Sequence, residues 1–555
     1  MKTSIRLAGI AALGLALASA APAAPKKAAP PQIDVKLMRA MIQRLASDEL
    51  EGRAPSSPAE PKVLNAIIAQ FKAAGLKPGN KGLWLQAVPT VEITAANNSA
   101  LTVTGTAAPL SFKFGSDYVA ASYRVTPKTE IKDAELVFVG YGINAPELGW
   151  NDYAGLDMKG KIAVILINDP DYAMETQDGP FKGRRMTYYG RWTYKYEEAA
   201  RQGAAGALIV HDTFPAAYGW NVVNSSWTGA QYFVQSANNG ANNTLANGWI
   251  QKPVAEAILG AGGQNLGALS EAAKQKGFKP VPLGLKASLS FDNAVRKSMS
   301  HNVIGILPGK QAPNEYVLYS AHWDHLGRCT PDVRGDDICN GAADNATGVA
   351  ALAAIAKASV QAGPARRSQV FLAVTLEESG LLGSKFYAEN PVYPLRATVG
   401  GVNMDNLPPI GRARDYAMSG GDKSELTALF RKALAARGLK ESPEDHPEHG
   451  YYYRSDHFPF AKLGVPMYYV KRGNELVDGG SAAGAAASED YRKNRYHQPS
   501  DEYSSKWDFS GIVQDVELYM ALGRDLAMGK TWPNWYATDE FRAIRDQSRA
   551  GLKGK

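Results

Sequence analysis

The sequence is short of cysteine, of long apolar runs and of clustered charge, and each shortage argues against a class of protein. Cys329 and Cys339 are the only cysteines in 555 residues. They stand close enough to pair in an oxidising compartment, which disfavours a cysteine nucleophile; a pair of zinc-binding thiolates is the alternative. The one long apolar stretch, Leu7 to Leu17, is too short to span a bilayer, and no other such run follows it. The net charge of +7 and the pI near 9.0 would suit an anionic partner. No basic run is long enough to form a nucleic-acid stripe, so the charge belongs to a solvated surface. There is also no GxSxG nucleophile elbow, no HExxH and no phosphate-binding GxxxxGK[ST]. With 45% hydrophobic and 21% charged residues, the chain can bury a large core and make two domains, and it is neither disordered nor fibrous.

The first residues stand apart from the fold. Lys2 and Arg6 precede the apolar stretch, and Ala18-Ser19-Ala20 supplies small residues for cleavage. That layout predicts a signal peptide over 1–20 and export to the periplasm or the exterior. Residues 21–34, rich in Ala, Lys and Pro, read as a flexible leader.

The stretch from Ser320 to Asp405 organises the rest. It holds SAHWDHLG (320–327), NGAADNATGVAA (340–351), FLAVTLEESGLLGS (371–384) and GGVNMDN (400–406). Each segment places a His, Asp or Glu at or just after an apolar run. Glu315 to Tyr319 leads into His322 and Asp324, and Gln369 to Leu376 leads into Glu377 and Glu378. Both runs have the β-branched and aromatic content of buried parallel strands, and Val349 to Ala358 has the composition of a helix. In open α/β sheets, ligands bind outside the carboxyl ends of the strands, where His322, Glu377, Glu378 and Asp405 fall.

The expected fold is α/β, with a mixed, mainly parallel sheet flanked by helices. Val35 to about Gly82 reads as two helices and Gln86 to Phe114 as strands. A composition shift follows: ELVFVGYGI, KIAVILIND, the helix 193–206 and ALIVHD form a strand-helix-strand unit. The main sheet resumes with NVIGILPG at Asn302, so 120–295 is taken as an inserted domain and 35–119 with 296–555 as the catalytic one. Within the insertion, Tyr218, Trp220, Trp227, Tyr232 and Phe233 suit either an aromatic substrate wall or ordinary core packing.

Amide hydrolysis at neutral pH needs a nucleophile, a stabiliser of oxyanion charge and an acid for the leaving amine. Two metal ions roughly 3.5–4 Å apart supply the first two by sharing a water. Such a centre requires a bridging ligand, further ligands on each ion and a free carboxylate. The set fits with Asp344 as bridge, His322 and Asp405 on one ion, Glu378 and a distant His on the other, and Glu377 free as base. The distant His is assigned to His497 in RYHQPSDEY (495–503), with His457 as its rival. His325 is expected to face the loop, and His446 and His449 lie in a polar stretch that reads as surface.

These ordered motifs, HWDH, GAADNATGVA, EESGLLGS, NMDN, SDHFPF and YHQPSD, resemble the secreted di-zinc aminopeptidase family that also includes glutamate carboxypeptidase. The inserted unit resembles a protease-associated domain. The resemblance implies two zinc ions per chain and carries the ligand roles onto His322, Asp344, Glu378, Asp405 and His497, with Glu377 as base. It implies that Asp324 fixes the tautomer of His322 by accepting its other ring N–H, and that the peptide after Asp344 is cis. Release of N-terminal residues from peptides is the leading activity. A carboxypeptidase and a metal-free binding protein on the same fold are the alternatives, and a cyclase of N-terminal glutamine is disfavoured because it leaves the second metal unnecessary. For an aminopeptidase, Asp336 and Asp337 offer acids for the substrate ammonium; for a carboxypeptidase, Arg454, Lys471 and Arg472 offer cations. Tyr491 and Tyr453 are both candidates to polarise the substrate carbonyl.

Overall fold

The computed structural model describes Met1 and residues 32–550, so the rest of the expected signal peptide and most of the leader lie outside the described residues. The described chain opens on two amphipathic helices, α1 (Val35–Leu45) and α2 (Glu60–Ala74). Asp34 caps the first by accepting from the Leu37 N–H at 3.0 Å. Gly75, at φ 90°, ends the second in the left-handed conformation that favours glycine.

Next come β1 (Leu85–Ala96) and a second unit built on β2 (Lys128–Phe138), β3 (Ile162–Leu166), β4 (Gly206–His211) and β5 (Ala246–Gln251). Strands β2 to β5 pair side by side in that order, all parallel, and α3 (Trp192–Arg201) connects β3 to β4. The aromatic stretch of this unit mostly packs inward. Trp227 is buried against Tyr123, Trp192 and Tyr196, and the Trp220 indole N–H donates to the Gly115 carbonyl at 2.9 Å. Tyr232 alone of the named aromatics is exposed.

β6 (Val281–Leu307) joins the two halves. It pairs antiparallel with β2, then along β1, and finally, over Val303 to Leu307, with β8 (Arg367–Val374). The boundary expected near 295 falls inside one strand, which both cores share.

The central sheet places β7 (Ala312–His322) between β8 and β9 (Thr398–Asn403), all parallel, and β10 (Met467–Arg472) extends it parallel to β9. Antiparallel neighbours lie on both flanks, β6 on one side and Asp415–Met418 on the other. Val317, Tyr319, Ala321, Phe371, Ala373 and Val402 point to one face, where they pack with α1, α2, α4 (Thr347–Gln361) and α5 (Ser510–Met528). Leu318, Val370, Leu372 and Val374 point to the other and meet Tyr387, Phe460 and Met467. Because both faces are covered, every residue of β8 is buried, and from Val370 to Val374 the strand is apolar without alternation. α4 is apolar on nearly all sides, as a helix enclosed by the core must be.

Candidate metal centre

The parallel strands deliver the site. His322 is the last residue of β7, Glu377 and Glu378 follow β8, and Asp405 follows β9. His322 lies opposite Val374 and Ser320 opposite Asn403 in the ladder, so the three segments emerge side by side at one end of the sheet. Asp344 reaches the same crevice from an irregular turn ahead of α4, and the peptide after it is cis.

That turn is held by partners distant in sequence. The Asp501 carboxylate accepts from the N–H groups of Ala343 at 3.1 Å and Asp344 at 3.0 Å. The Asn345 side chain accepts from Asn406 N–H at 3.1 Å and donates to the Met404 carbonyl at 3.1 Å, tying the Asp344 turn to the Asp405 segment. Fully buried Arg53 donates to the carbonyls of Leu45, Trp323, Asn340 and Gly341, at 2.6–2.8 Å. Ser455 donates to Asp405 Oδ2 at 2.6 Å. Preorganisation of this kind fixes ligand atoms before an ion arrives.

The five residues assigned as ligands fall into two groups that share Asp344. Its Oδ1 lies 3.3 Å from His322 Nε2, which lies 3.4 Å from Asp405 Oδ1. Its Oδ2 lies 3.4 Å from His497 Nε2, which lies 3.1 Å from Glu378 Oε2. Bonds of about 2.0–2.2 Å in tetrahedral geometry separate the ligand atoms of zinc by roughly 3.3–3.6 Å. The spacings match. His497 Nε2 is buried and makes no hydrogen bond, so it is an orphaned polar atom between two carboxylate oxygens, as a ligand nitrogen would be. His497 also holds φ at 59°, an uncommon backbone state for a residue with a side chain. Glu377 lies within 4.8 Å of His322 and Asp405 by ligand atoms and forms no ion pair among the described residues.

Electrostatics separate the carboxylates. Burial opposes the ionised form of Asp344, but the imidazoles of His322 and His497 outweigh it and hold the carboxyl well below its ordinary range. Asp405 is lowered against the same burial by His322, and Glu378, also crowded by Asp344, is lowered by His325 and His497. Glu377 goes the other way: burial, reinforced by Glu378, Asp405 and Asp456, raises it well above the usual range against the pull of His322. Burial opposes charge on His497 too, yet Asp344 and Glu378 lift it to about 10. Neighbouring carboxyls whose environments drive their proton affinities apart are suited to different tasks.

Other expectations are corrected or decided here. The other ring nitrogen of His322, Nδ1, lies 3.1 Å from the main-chain carbonyl of Asp324 and 3.8 Å from its carboxylate. The carbonyl is therefore the nearer tautomer-fixing acceptor, and Asp324 Oδ1 accepts from the Glu377 N–H at 3.2 Å. His325 does not face the loop: the segment after β7 is not helical, and the buried ring turns back onto Glu378. His457, the rival to His497, is buried and stacks on Tyr469 with ring centroids 4.4 Å apart. His446 and His449 lie on a surface loop with their rings stacked 4.9 Å apart, and with Glu448 they bring ligand atoms within 4.8 Å of one another, away from the five assigned ligands.

Tyr491 spends its hydroxyl near Asp501 at 3.4 Å, and Tyr453 is packed among Tyr188, Tyr452 and Phe458. The phenols that border the centre are Tyr469, 3.5 Å from Asp405 Oδ2, and the half-exposed Tyr496, stacked on His497 at 3.9 Å. Arg472 is committed to Asp515 at 2.9 Å and to the Pro408 and Gly411 carbonyls. Asp337 pairs with Arg328 at 2.7 Å, and Asp336 lies 3.8 Å from Arg334. Cys329 and Cys339 form a disulfide, which excludes the thiolate alternative.

A mainly parallel α/β sheet with imidazoles and carboxylates converging at its strand ends has the donor set to hold metal ions. Residues 302–521 match the model of peptidase family M28. The chain is 31% identical over 138 residues to Aminopeptidase NAALADL1 of Mus musculus, a match covering 23% of this chain and 17% of that protein. The match thus spans less than a fifth of the curated relative's length. Among solved structures, it is similar to an aminopeptidase from Aneurinibacillus sp. strain AM-1, with 22% identity, 90% of this chain and 96% of that chain covered, and a TM-score of 0.47. It is also similar to BSAP, a zinc aminopeptidase from Bacillus subtilis, with 18% identity, coverage of 90% and 96%, and a TM-score of 0.41.

Proposed function

We propose that the chain is an exported metallopeptidase that holds two zinc ions and releases N-terminal residues from peptides. The observation that carries this reading is the division of Asp344 between two ligand groups, one oxygen toward His322 and Asp405 and the other toward His497 and Glu378. When bound, the ion pair would lower the pKa of a shared water and take up oxyanion charge.

The remaining work falls to the chain's own side chains. Glu377, which forms no ion pair among the described residues and lies beside His322 and Asp405, would accept the proton from water and pass it to the leaving amine. Asp324 holds the main-chain N–H of Glu377 and so fixes where that carboxylate stands. Tyr496, on the open side beside His497, is placed to donate to the substrate carbonyl. The unit 120–295, taken as a protease-associated insertion, is tied to the remainder of the chain through Glu197 with Lys462 at 2.7 Å and Arg185 with Glu444 at 2.9 Å. The Cys329–Cys339 disulfide supports the exported reading.

Two observations favour the aminopeptidase over the carboxypeptidase. Arg472, one of the cations available to hold a substrate carboxylate, is already neutralised by Asp515. The curated relative is by name an aminopeptidase. Purified chain is therefore expected to cleave aminoacyl reporters and to leave N-blocked peptides with free C-termini intact. Cleavage of the blocked peptides alone would replace the aminopeptidase with the carboxypeptidase.

A further inference from the structure

His325 is not needed to complete either ligand group, yet it is as deeply placed as the ligands themselves. It is 1% exposed, its Nδ1 lies 2.6 Å from Glu378 Oε1, and its Nε2 is buried with no hydrogen-bond partner. A carboxylate has no proton to give, so the contact requires hydrogen on Nδ1 and the imidazole is the donor. Its ring also stands edge-on to His497, with centroids 5.6 Å apart.

Close approach is secured by Gly341. That residue adopts φ 54°, and a Cβ on it would meet His325 Cδ2 at 2.5 Å. The same glycine's carbonyl accepts from Arg53 at 2.8 Å, so the wall behind the imidazole is itself pinned.

The geometry points to His325 as a positioning residue that occupies Oε1 of Glu378 and leaves Oε2 alone for the ion shared with His497. This inference rests on the two-zinc reading above and deepens it. Glu378 Oε2 is the oxygen 3.1 Å from His497 Nε2, and Oε1 is turned toward His325. A carboxylate free to rotate could offer both oxygens to one ion. Held by a donor on one of them, it would supply a single oxygen toward the ion shared with His497.

The test compares wild type with His325→Phe, which fills the space without a donor, and His325→Asn, whose amide nitrogen reproduces Nδ1 without Nε2. Zinc affinity is read by chelator competition, and coordination by the visible spectrum after cobalt replaces zinc. The phenylalanine variant is expected to lose about 10- to 100-fold in affinity at the weaker of the two ions. Its cobalt band should weaken as Glu378 becomes bidentate and coordination number rises. Asparagine should restore most of both. A phenylalanine variant with wild-type affinity and spectrum overturns the inference, as does an asparagine variant no better than phenylalanine, which would make His325 a ligand or a packing residue. Wild type that folds but binds no zinc removes the two-zinc reading and this inference together, so the two failures are distinct.

Discussion

Two clusters of buried carboxylates in this chain are kept in place in opposite ways. Inside the 120–295 unit, Asp152 accepts from the Ile143 N–H and the Trp150 indole, and Asp169 accepts from the N–H and hydroxyl of Thr187. Both sit in the field of Lys195, which is buried and donates to the Tyr141 and Asn168 carbonyls at 2.7 and 3.0 Å. At the strand ends, no described lysine or arginine pairs with Asp344, Glu377, Glu378 or Asp405. The buried guanidinium nearby, Arg53, spends its N–H groups on carbonyls. The first cluster carries its own ammonium. Among the described residues, the only cationic partners of the second are imidazoles, and imidazoles are also metal ligands.

The contrast teaches how to tell architecture from a site. An uncompensated buried charge costs several kcal/mol, so a group of carboxylates with no lysine or arginine must be balanced by bound protons, by protonated imidazoles or by cations from outside. Three variants sharpen this. The largest effect is expected from Glu377→Gln, which should keep both zinc ions and lose about 10²–10⁴ in turnover in a steady-state assay. Unchanged rate with full metal would move the base elsewhere. Lys195→Met should lower the free energy of unfolding by about 3–5 kcal/mol in a denaturant titration and leave the zinc content untouched. If it lowered zinc instead, the two clusters would be coupled. Asp501→Ala leaves the N–H groups of Ala343 and Asp344 without their acceptor, and zinc affinity should drop about 10- to 100-fold with a small change in stability. An affinity equal to wild type would show that the turn holds itself.

Much of this centre was legible in the sequence because its groups sit where apolar runs stop. His322, Glu377, Glu378 and Asp405 follow strands whose composition marks them as buried and parallel, and adjacent parallel strands bring their ends together. What was not legible depends on direction and distance. The spacing of His325 from His322 suggests a helical turn, but the chain after β7 is extended and then irregular, and the ring folds inward. Asp501 leaves no periodic signal, because its task is to accept main-chain N–H groups from a turn more than 150 residues away. Arg472 reads as a free cation until its partner Asp515, on α5, is seen. The helix expected over 193–206 ends at Arg201, and the strand expected over 161–169 ends at Leu166 before Asn168 takes a positive φ. The run of β6 through residue 295 carries no composition break, since one strand serves both cores.

The measurement closest to the heart of the account is the zinc content of the folded, unchelated chain, by elemental analysis against protein concentration. Two ions per chain are expected, one for each oxygen of Asp344. A folded protein with close to none would mean that its buried carboxylates are balanced by histidine protons alone, and the peptidase reading would fall with them.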